Sequence, residues 1–193
     1  MTDEKQILLG TSDLGRAISR MAHEIIEKCA EPDELALIGI RSRGVHLARR
    51  LARRIGELGK TVPPVGAIDV TPFRDDRAQT QVATPAAGLE ISTPVDEKTV
   101  VLIDDVIYRG RTIRAAMEAI ERLGQPKRII VAVLIDRGAR ELPIRADIVG
   151  KNIDAGEGYR VNVRLQEADG IDQVTLSNWQ GQTGVKTENS RDA

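Results

Sequence analysis

Three uninterrupted apolar runs restrict the possible folds more than any other feature of this chain: LALIGI (Leu35 to Ile40), TVVLI (Thr99 to Ile103) and RIIVAVLI (Arg128 to Ile135). A strand with one wet face alternates polar and apolar residues, whereas a continuous apolar run must be covered on both faces. Helical periods separate these runs. Leu14, Ala17, Ile18, Met21, Ala22, Ile25, Ile26 and Cys29 recur at three and four residues, one face of a helix that Ser12 or Asp13 can cap. Val45, Ala48, Leu51, Ala52 and Ile55 mark a second helix ended by Gly59; Ile113, Ala116, Met117, Ile120 and Leu123 mark a third ended by Gly124. PVGAIDV (Pro64 to Val70) reads as a further strand. Strands alternating with helices predict an α/β fold, a parallel sheet flanked by helices.

Two regions depart from that rhythm. Residues 72–95 are polar and hold Pro72, Pro85 and Pro94 without a sustained period, the mark of a flexible functional loop. Beyond Asp136 the elements shorten: ADIVG (Ala146 to Gly150), YRVNVRL (Tyr159 to Leu165) and VTLS (Val174 to Ser177) suggest a small accessory subdomain plus an edge strand. The expected organisation is one domain over 1–177, followed by a polar, mobile tail over 178–193.

Composition removes several function classes. With 28 Lys+Arg against 29 Asp+Glu the net charge is -1, so nucleic acid can be held only by a local patch. Aromatic residues are 2% of the chain, too few for a platform of stacked bases. A single cysteine, Cys29, excludes an intrachain disulfide and a cysteine-rich zinc site. The polar start MTDEKQ carries no signal-peptide pattern, and a cytoplasmic protein is expected.

The chemistry concentrates in VVLIDDVIYRGRT, residues 100–112. An apolar strand delivers Asp104 and Asp105 at its C-terminal end, the edge where open parallel sheets bind ligands. A short loop with Gly110 and a helix starting near Thr112 present unpaired amides to an anion. Carboxylates repel a phosphate but accept from ribose hydroxyls, so the segment suits a ligand with a sugar diol beside a phosphate. A solvated strand-to-helix turn has the same ingredients, and spacing alone favours the nucleotide-sugar site only modestly.

The segment closely resembles the 5-phosphoribosyl-1-pyrophosphate (PRPP) motif of type I phosphoribosyltransferases. Within them, the stretch from Ile7 to Leu165 resembles the PyrR family. RMAHEIIE (Arg20 to Glu27), IGIRSRG (Ile38 to Gly44), IDVTPFRDD (Ile68 to Asp76) and VLIDRGARELPIRADIVGKNI (Val133 to Ile153) carry the likeness. It implies a uracil phosphoribosyltransferase that makes UMP and pyrophosphate with Mg²⁺ held by substrate and waters. It also implies a regulator that binds pyrimidine-operon leader RNA when UMP or UTP is abundant, and a homodimer or higher oligomer. The alternatives are an RNA-binding nucleotide sensor without catalysis, or a phosphoribosyltransferase for another base.

Residue by residue, the resemblance implies that Asp104 and Asp105 hold the ribose, while Val106, Ile107, Tyr108, Arg109, Gly110, Arg111 and Thr112 cradle the 5-phosphate. Arg41, Ser42, Arg43 and Gly44 form the pyrophosphate loop, with a non-proline cis peptide in the turn. Arg74, in a hairpin that closes over the site, stabilises the leaving pyrophosphate; Phe73, Asp75 and Asp76 flank it. Asp136 is implied as a catalytic acid near metal-bound water, and Asp136, Arg137 and Gly138 as the base site under a hood formed mainly by 137–165 with the N-terminal segment. Ser19, His23, Lys28, Arg140, Arg145 and Lys151 are the implied RNA contacts. Three departures stand out: Arg109 and Ser42 where the family usually has Thr, and Ala139 where it usually has His.

Overall fold

The computed structural model describes residues 6–29, 34–70, 95–156 and 158–178. Its elements run β1 (Gln6–Leu9), α1 (Thr11–Lys28), β2 (Leu35–Ile40), α2 (Arg43–Glu57), β3 (Val65–Ile68), β4 (Thr99–Ile107), α3 (Arg111–Glu121), β5 (Arg128–Asp136), β6 (Ile148–Asn152), β7 (Tyr159–Arg164), α4 (Gln166–Asp169) and β8 (Gln173–Asn178).

The apolar runs form the middle of a five-stranded sheet of order β3-β2-β4-β5-β6, parallel throughout. Alternate side chains feed two cores, as the pleat requires. Leu35, Leu37, Val101, Ile103, Ile130, Ala132 and Leu134 pack with α1 and α2 on one face. Ile38, Ile40, Val100, Leu102, Val131 and Val133 pack with α3 on the other. The chain moves outward from β2 to β3, then returns across β2 to lay β4 on its other side. That reversal opens a crevice between the C-terminal ends of β2 and β4, the usual ligand position in such sheets.

A second, antiparallel sheet of order β1-β8-β7 joins the N-terminal strand to the last two. The stretch assigned to the hood therefore divides: β6 pairs with β5 in the main sheet, while β1 and β8 complete the small one. Ile148 and Gly150 are buried, which explains the edge-strand placement of β6. Two element boundaries also differ from expectation. Gly10 is the N-cap of α1, and Asp13 serves from inside the helix, its carboxylate accepting the Gly10 N–H at 3.4 Å. β4 extends past the acid pair to Ile107 because Val106 and Ile107 still pair with Ile135 and Asp136.

Candidate nucleotide-sugar site

Because β2, β4 and β5 are neighbours and parallel, the turns that follow them meet at one edge. These are 41–44, 108–110 and 137–138, three of the segments singled out in the sequence. Residues 71–94, including Phe73, Arg74, Asp75 and Asp76, lie outside the described residues, as does the tail from 179 onward.

Asp104 and Asp105 sit within the last half of β4. Asp104 is 5% exposed, with its Oδ1 accepting the Asp105 N–H at 2.9 Å; Asp105 Oδ1 accepts the Val106 N–H at 3.0 Å. Each carboxylate is thus oriented by the backbone while keeping acceptor capacity for a ligand. Gly110 is the N-cap of α3 with φ 93°, a left-handed conformation that glycine adopts without steric cost. This turn points the first amides of α3 outward, where the helix dipole favours an anion. Thr112 lies in the first turn of α3, half-buried.

In the neighbouring turn the Arg41–Ser42 peptide bond is cis, as the resemblance implies. The Arg41 amide is held by the Ile68 carbonyl at 2.9 Å. Gly44 begins α2 against β4: a Cβ there would lie 2.5 Å from the Ile103 carbonyl oxygen and 3.4 Å from the Asp104 Cα. The pyrophosphate-loop candidate and the acid pair are therefore packed backbone to backbone. The Arg43 guanidinium is engaged by Asp169 of α4, Nε to Oδ2 at 3.1 Å and Nη2 to Oδ1 at 2.7 Å.

Arg109 and Arg111 also have a partner that the sequence reading missed. Glu141 takes Arg109 Nε at 3.1 Å on one oxygen and Arg111 Nη2 at 2.5 Å on the other. The Glu141 and Leu142 amides both donate to the Arg109 carbonyl at 3.1 Å. The two arginines are drawn toward the 138–146 strap.

At the end of β5, Arg137 is 9% exposed and its guanidinium lies 3.9 Å from the centroid of the Tyr108 ring, a cation–π stack. Its buried Nε has no hydrogen-bond partner. Burial pulls its pKa down; Tyr108 works the other way and Arg109 adds to the lowering. A buried donor without an acceptor favours a ligand that brings one. Gly138 adopts φ 69°, and its amide donates to Asp136 Oδ1 at 2.9 Å.

The six residues assigned to RNA do not share one environment. His23 and Lys28 are exposed on α1, Ser19 is half-buried one turn before His23, and the His23 ring lies 2.8 Å from the Ser19 carbonyl. Lys151 on β6 is exposed and donates to the Leu8 carbonyl at 3.2 Å. α1 is tied to β6 through Arg20, which donates to the Val149 carbonyl at 3.1 Å. Arg145 is exposed on the strap, flanked by Ile144 and Ala146, which pack on the α3-side core. Arg140 is half-buried and internally bonded, to the Asp136 carboxylate and the Tyr108 carbonyl. A separate open groove of about 970 Å³ lies between α1, α2 and the α4 region, lined by Arg16, Ser19, Arg50, Arg53 and Arg54 among others, away from the C-terminal ends of β2, β4 and β5.

The family model "Phosphoribosyl transferase domain" matches residues 7–164. The Bifunctional protein PyrR of Chloroflexus aurantiacus is 49% identical over 176 residues, covering 91% of this chain and 96% of that protein. The Bifunctional protein PyrR of Pelotomaculum thermopropionicum is 51% identical over 177 residues, covering 91% and 97%. Among solved structures, a hypoxanthine phosphoribosyltransferase from Staphylococcus aureus superposes with TM-score 0.67 at 19% identity, covering 89% of this chain and 92% of that one. The hypoxanthine phosphoribosyltransferase of Trypanosoma cruzi gives TM-score 0.69 at 15% identity, covering 91% and 97%. At such identities these structures speak to the fold alone.

Proposed function

The chain belongs to the phosphoribosyltransferase family and, within it, to the PyrR proteins, and from that membership we propose that it transfers ribose-5-phosphate from PRPP to N1 of uracil and regulates pyrimidine genes through leader RNA. The observation that carries the enzymatic reading is the meeting, at adjacent strand ends, of an oriented acid pair, a glycine-opened helix start and a buried arginine whose Nε lacks an acceptor. The N1–C1′ bond forms as the C1′–O bond to pyrophosphate breaks, and N1 releases its proton. No covalent nucleophile is required, so the protein contributes position and charge. Asp104 and Asp105 accept from the ribose hydroxyls. The amides from Tyr108 to Thr112 hold the 5-phosphate. The Arg41–Ser42 turn faces the diphosphate, and Asp136, Arg137 and Gly138 face uracil, with Arg137 offering donors to a carbonyl oxygen.

Mg²⁺ fits this site as a partner of the substrate. Among the described residues no group of three or more His, Cys, Asp or Glu could hold a metal ion. Asp104 and Asp105 would hold such an ion through its waters, as suits a hard cation brought by the substrate. When bound, it neutralises charge on the diphosphate.

Radiolabelled uracil with PRPP and Mg²⁺ should yield UMP, with orotate and hypoxanthine converted far more slowly. Absence of UMP from folded protein would leave a nucleotide sensor, and preference for another base would reassign the substrate.

The regulatory reading draws on the exposed residues His23 and Lys28 of α1, a helix tied through Arg20 to β6, the strand that carries the exposed Lys151. A homodimer would place two such faces together and compensate for the near-neutral total charge. Leader-RNA affinity should rise with UMP, and His23→Ala with Lys151→Ala should lower it while flattening its salt dependence. Unchanged affinity in that variant would remove this face from the RNA contact. Among the described residues no helix is long and apolar enough to cross a membrane.

A further inference from the structure

Arg140 is the most heavily bonded side chain at the candidate site, and every partner is internal. Its Nη2 donates to Asp136 Oδ2 at 2.6 Å; its Nη1 donates to the Tyr108 carbonyl at 2.8 Å and to the Gly138 carbonyl at 2.9 Å. Its Nε donates to the Ile144 carbonyl at 3.0 Å. Four of the five guanidinium N–H donors are thereby used. The side chains of Arg140 and Asp136 are only 18% and 17% exposed.

These partners come from different parts of the site. Asp136 and Gly138 belong to the base side, at the end of β5. Tyr108 begins the turn that cradles the phosphate, after β4. Ile144 lies on the strap, and its Cβ would be 3.6 Å from a Cβ built on Gly110. One planar cation therefore holds the base turn, the phosphate turn and the strap together. The Gly138 amide fixes the other oxygen of Asp136, so that carboxylate is gripped on both sides and cannot rotate.

We propose that Arg140 is a positioning residue for phosphoribosyl transfer, acting by orienting Asp136 and tying the base turn to the phosphate turn. This rests on the transferase reading above. A swing of the guanidinium out of this position would release all four acceptors. It would leave the Asp136 carboxylate unpaired beside a substrate that is itself strongly anionic. Lysine at this position could satisfy Asp136, but as a point donor it could not also hold three separated carbonyls.

A double-mutant cycle separates positioning from simple structural support. Wild type, Arg140→Gln, Asp136→Asn and the double variant are compared by UMP affinity in titration calorimetry and by kcat/KM for uracil. Arg140→Gln should lower kcat/KM roughly 100-fold, the scale of a misplaced catalytic group. In the Asp136→Asn background the same change should cost no more than about threefold, because its target is already lost. Arg140→Lys should recover part of the UMP affinity, and it replaces Arg140→Gln in the cycle if thermal melts show the latter unfolded. Additive losses would overturn the proposal, as would wild-type UMP affinity and turnover in Arg140→Gln, with or without weaker RNA binding. If wild type binds UMP but transfers nothing, the enzymatic reading fails alone and the cycle on UMP affinity still decides the role of Arg140. A wild-type protein that does not bind UMP would sink both.

Discussion

Arg43 and Asp169 are 126 residues apart and form a two-pronged ion pair, Nε to Oδ2 at 3.1 Å and Nη2 to Oδ1 at 2.7 Å. Arg43 opens α2 beside the candidate pyrophosphate turn, and Asp169 closes α4. Two turns further along α2, Arg50 repeats the arrangement: its guanidinium is shared between Glu167 and Asp172, with Nη2 reaching them at 2.6 and 2.7 Å. The α4 region between β7 and β8, the two C-terminal strands of the small sheet, is thereby bolted to the helix that leads away from the active edge. This side of α2 is where the segment between β7 and β8 is fastened to the main sheet's helix layer.

Arg43→Ala should therefore cost stability more than substrate affinity. Losing a charge-assisted pair that is about two-thirds or more buried on both sides should remove about 2 kcal/mol. For a chain of this size that lowers Tm by roughly 4–8 °C. Steady-state kinetics should show the PRPP KM moving by no more than about threefold, well short of the tenfold that 1.4 kcal/mol of lost binding would produce. A PRPP KM raised tenfold at unchanged Tm would return Arg43 to the diphosphate.

The same bolts make the fold acid-sensitive. The Arg43 hydrogen bond holds the Asp169 carboxyl below its ordinary pKa. The Arg50 hydrogen bond does the same for Glu167. For Asp172, burial works to raise the pKa, and bonds from Arg50 and the Gln166 amide overcome it to leave a net lowering. A carboxylate with a depressed folded pKa contributes stability that is complete above its unfolded pKa, near 4, and is lost as pH falls through the folded value. Urea melts should show ΔG falling from about pH 5 downward. Arg50→Met should lose about 2–3 kcal/mol at pH 7 and follow a shallower acid limb, because its carboxylates return toward ordinary values. Parallel acid limbs for the two proteins would exclude this origin.

The main sheet was legible because its strands are buried on both faces and its helices carry a clean period: runs such as LALIGI allow little else. The acid pair and Gly110 were legible because strand, carboxylates, glycine and helix occur in order within thirteen residues. What escaped was long-range. Nothing local in QEAD marks Glu167 and Asp169 as partners of α2, and β1 is only four residues long. Arg140 and Glu141 lie in a strap without period, so their charges read as surface until the strap is seen folded against the phosphate turn. One available signal was passed over. Gly39 interrupts an otherwise large-residue strand, and a Cβ there would run into the backbone of Gly44 and Val45. Glycine in a strand interior often marks such a close approach of another backbone.

That close approach makes Gly44 a sensitive position. An added methyl would meet the Ile103 carbonyl at 2.5 Å, an atom fixed in the central strand. Gly44→Ala must push the start of α2 away from β4, which overpacking precedents put at about 1–3 kcal/mol. The displaced turn carries Arg41 and Ser42, so PRPP affinity should fall together with Tm. Unaltered Tm and PRPP KM would show that the turn can yield without consequence.

Asp104→Asn and Asp105→Asn test the ribose role with little change of volume. Both carboxylates accept a neighbouring backbone amide, and an asparagine carbonyl can do the same, so the fold should persist. What disappears is charge and the capacity to accept two hydroxyls at once. The double variant should lose at least about 100-fold in kcat/KM, in line with the removal of transition-state electrostatics. Circular dichroism and Tm should stay near wild type, since Asp104 would exchange a buried charge for a neutral amide, a change that relieves desolvation. Wild-type turnover in the double variant would refute the assignment of this pair to ribose, whatever the merits of the neighbouring phosphate cup.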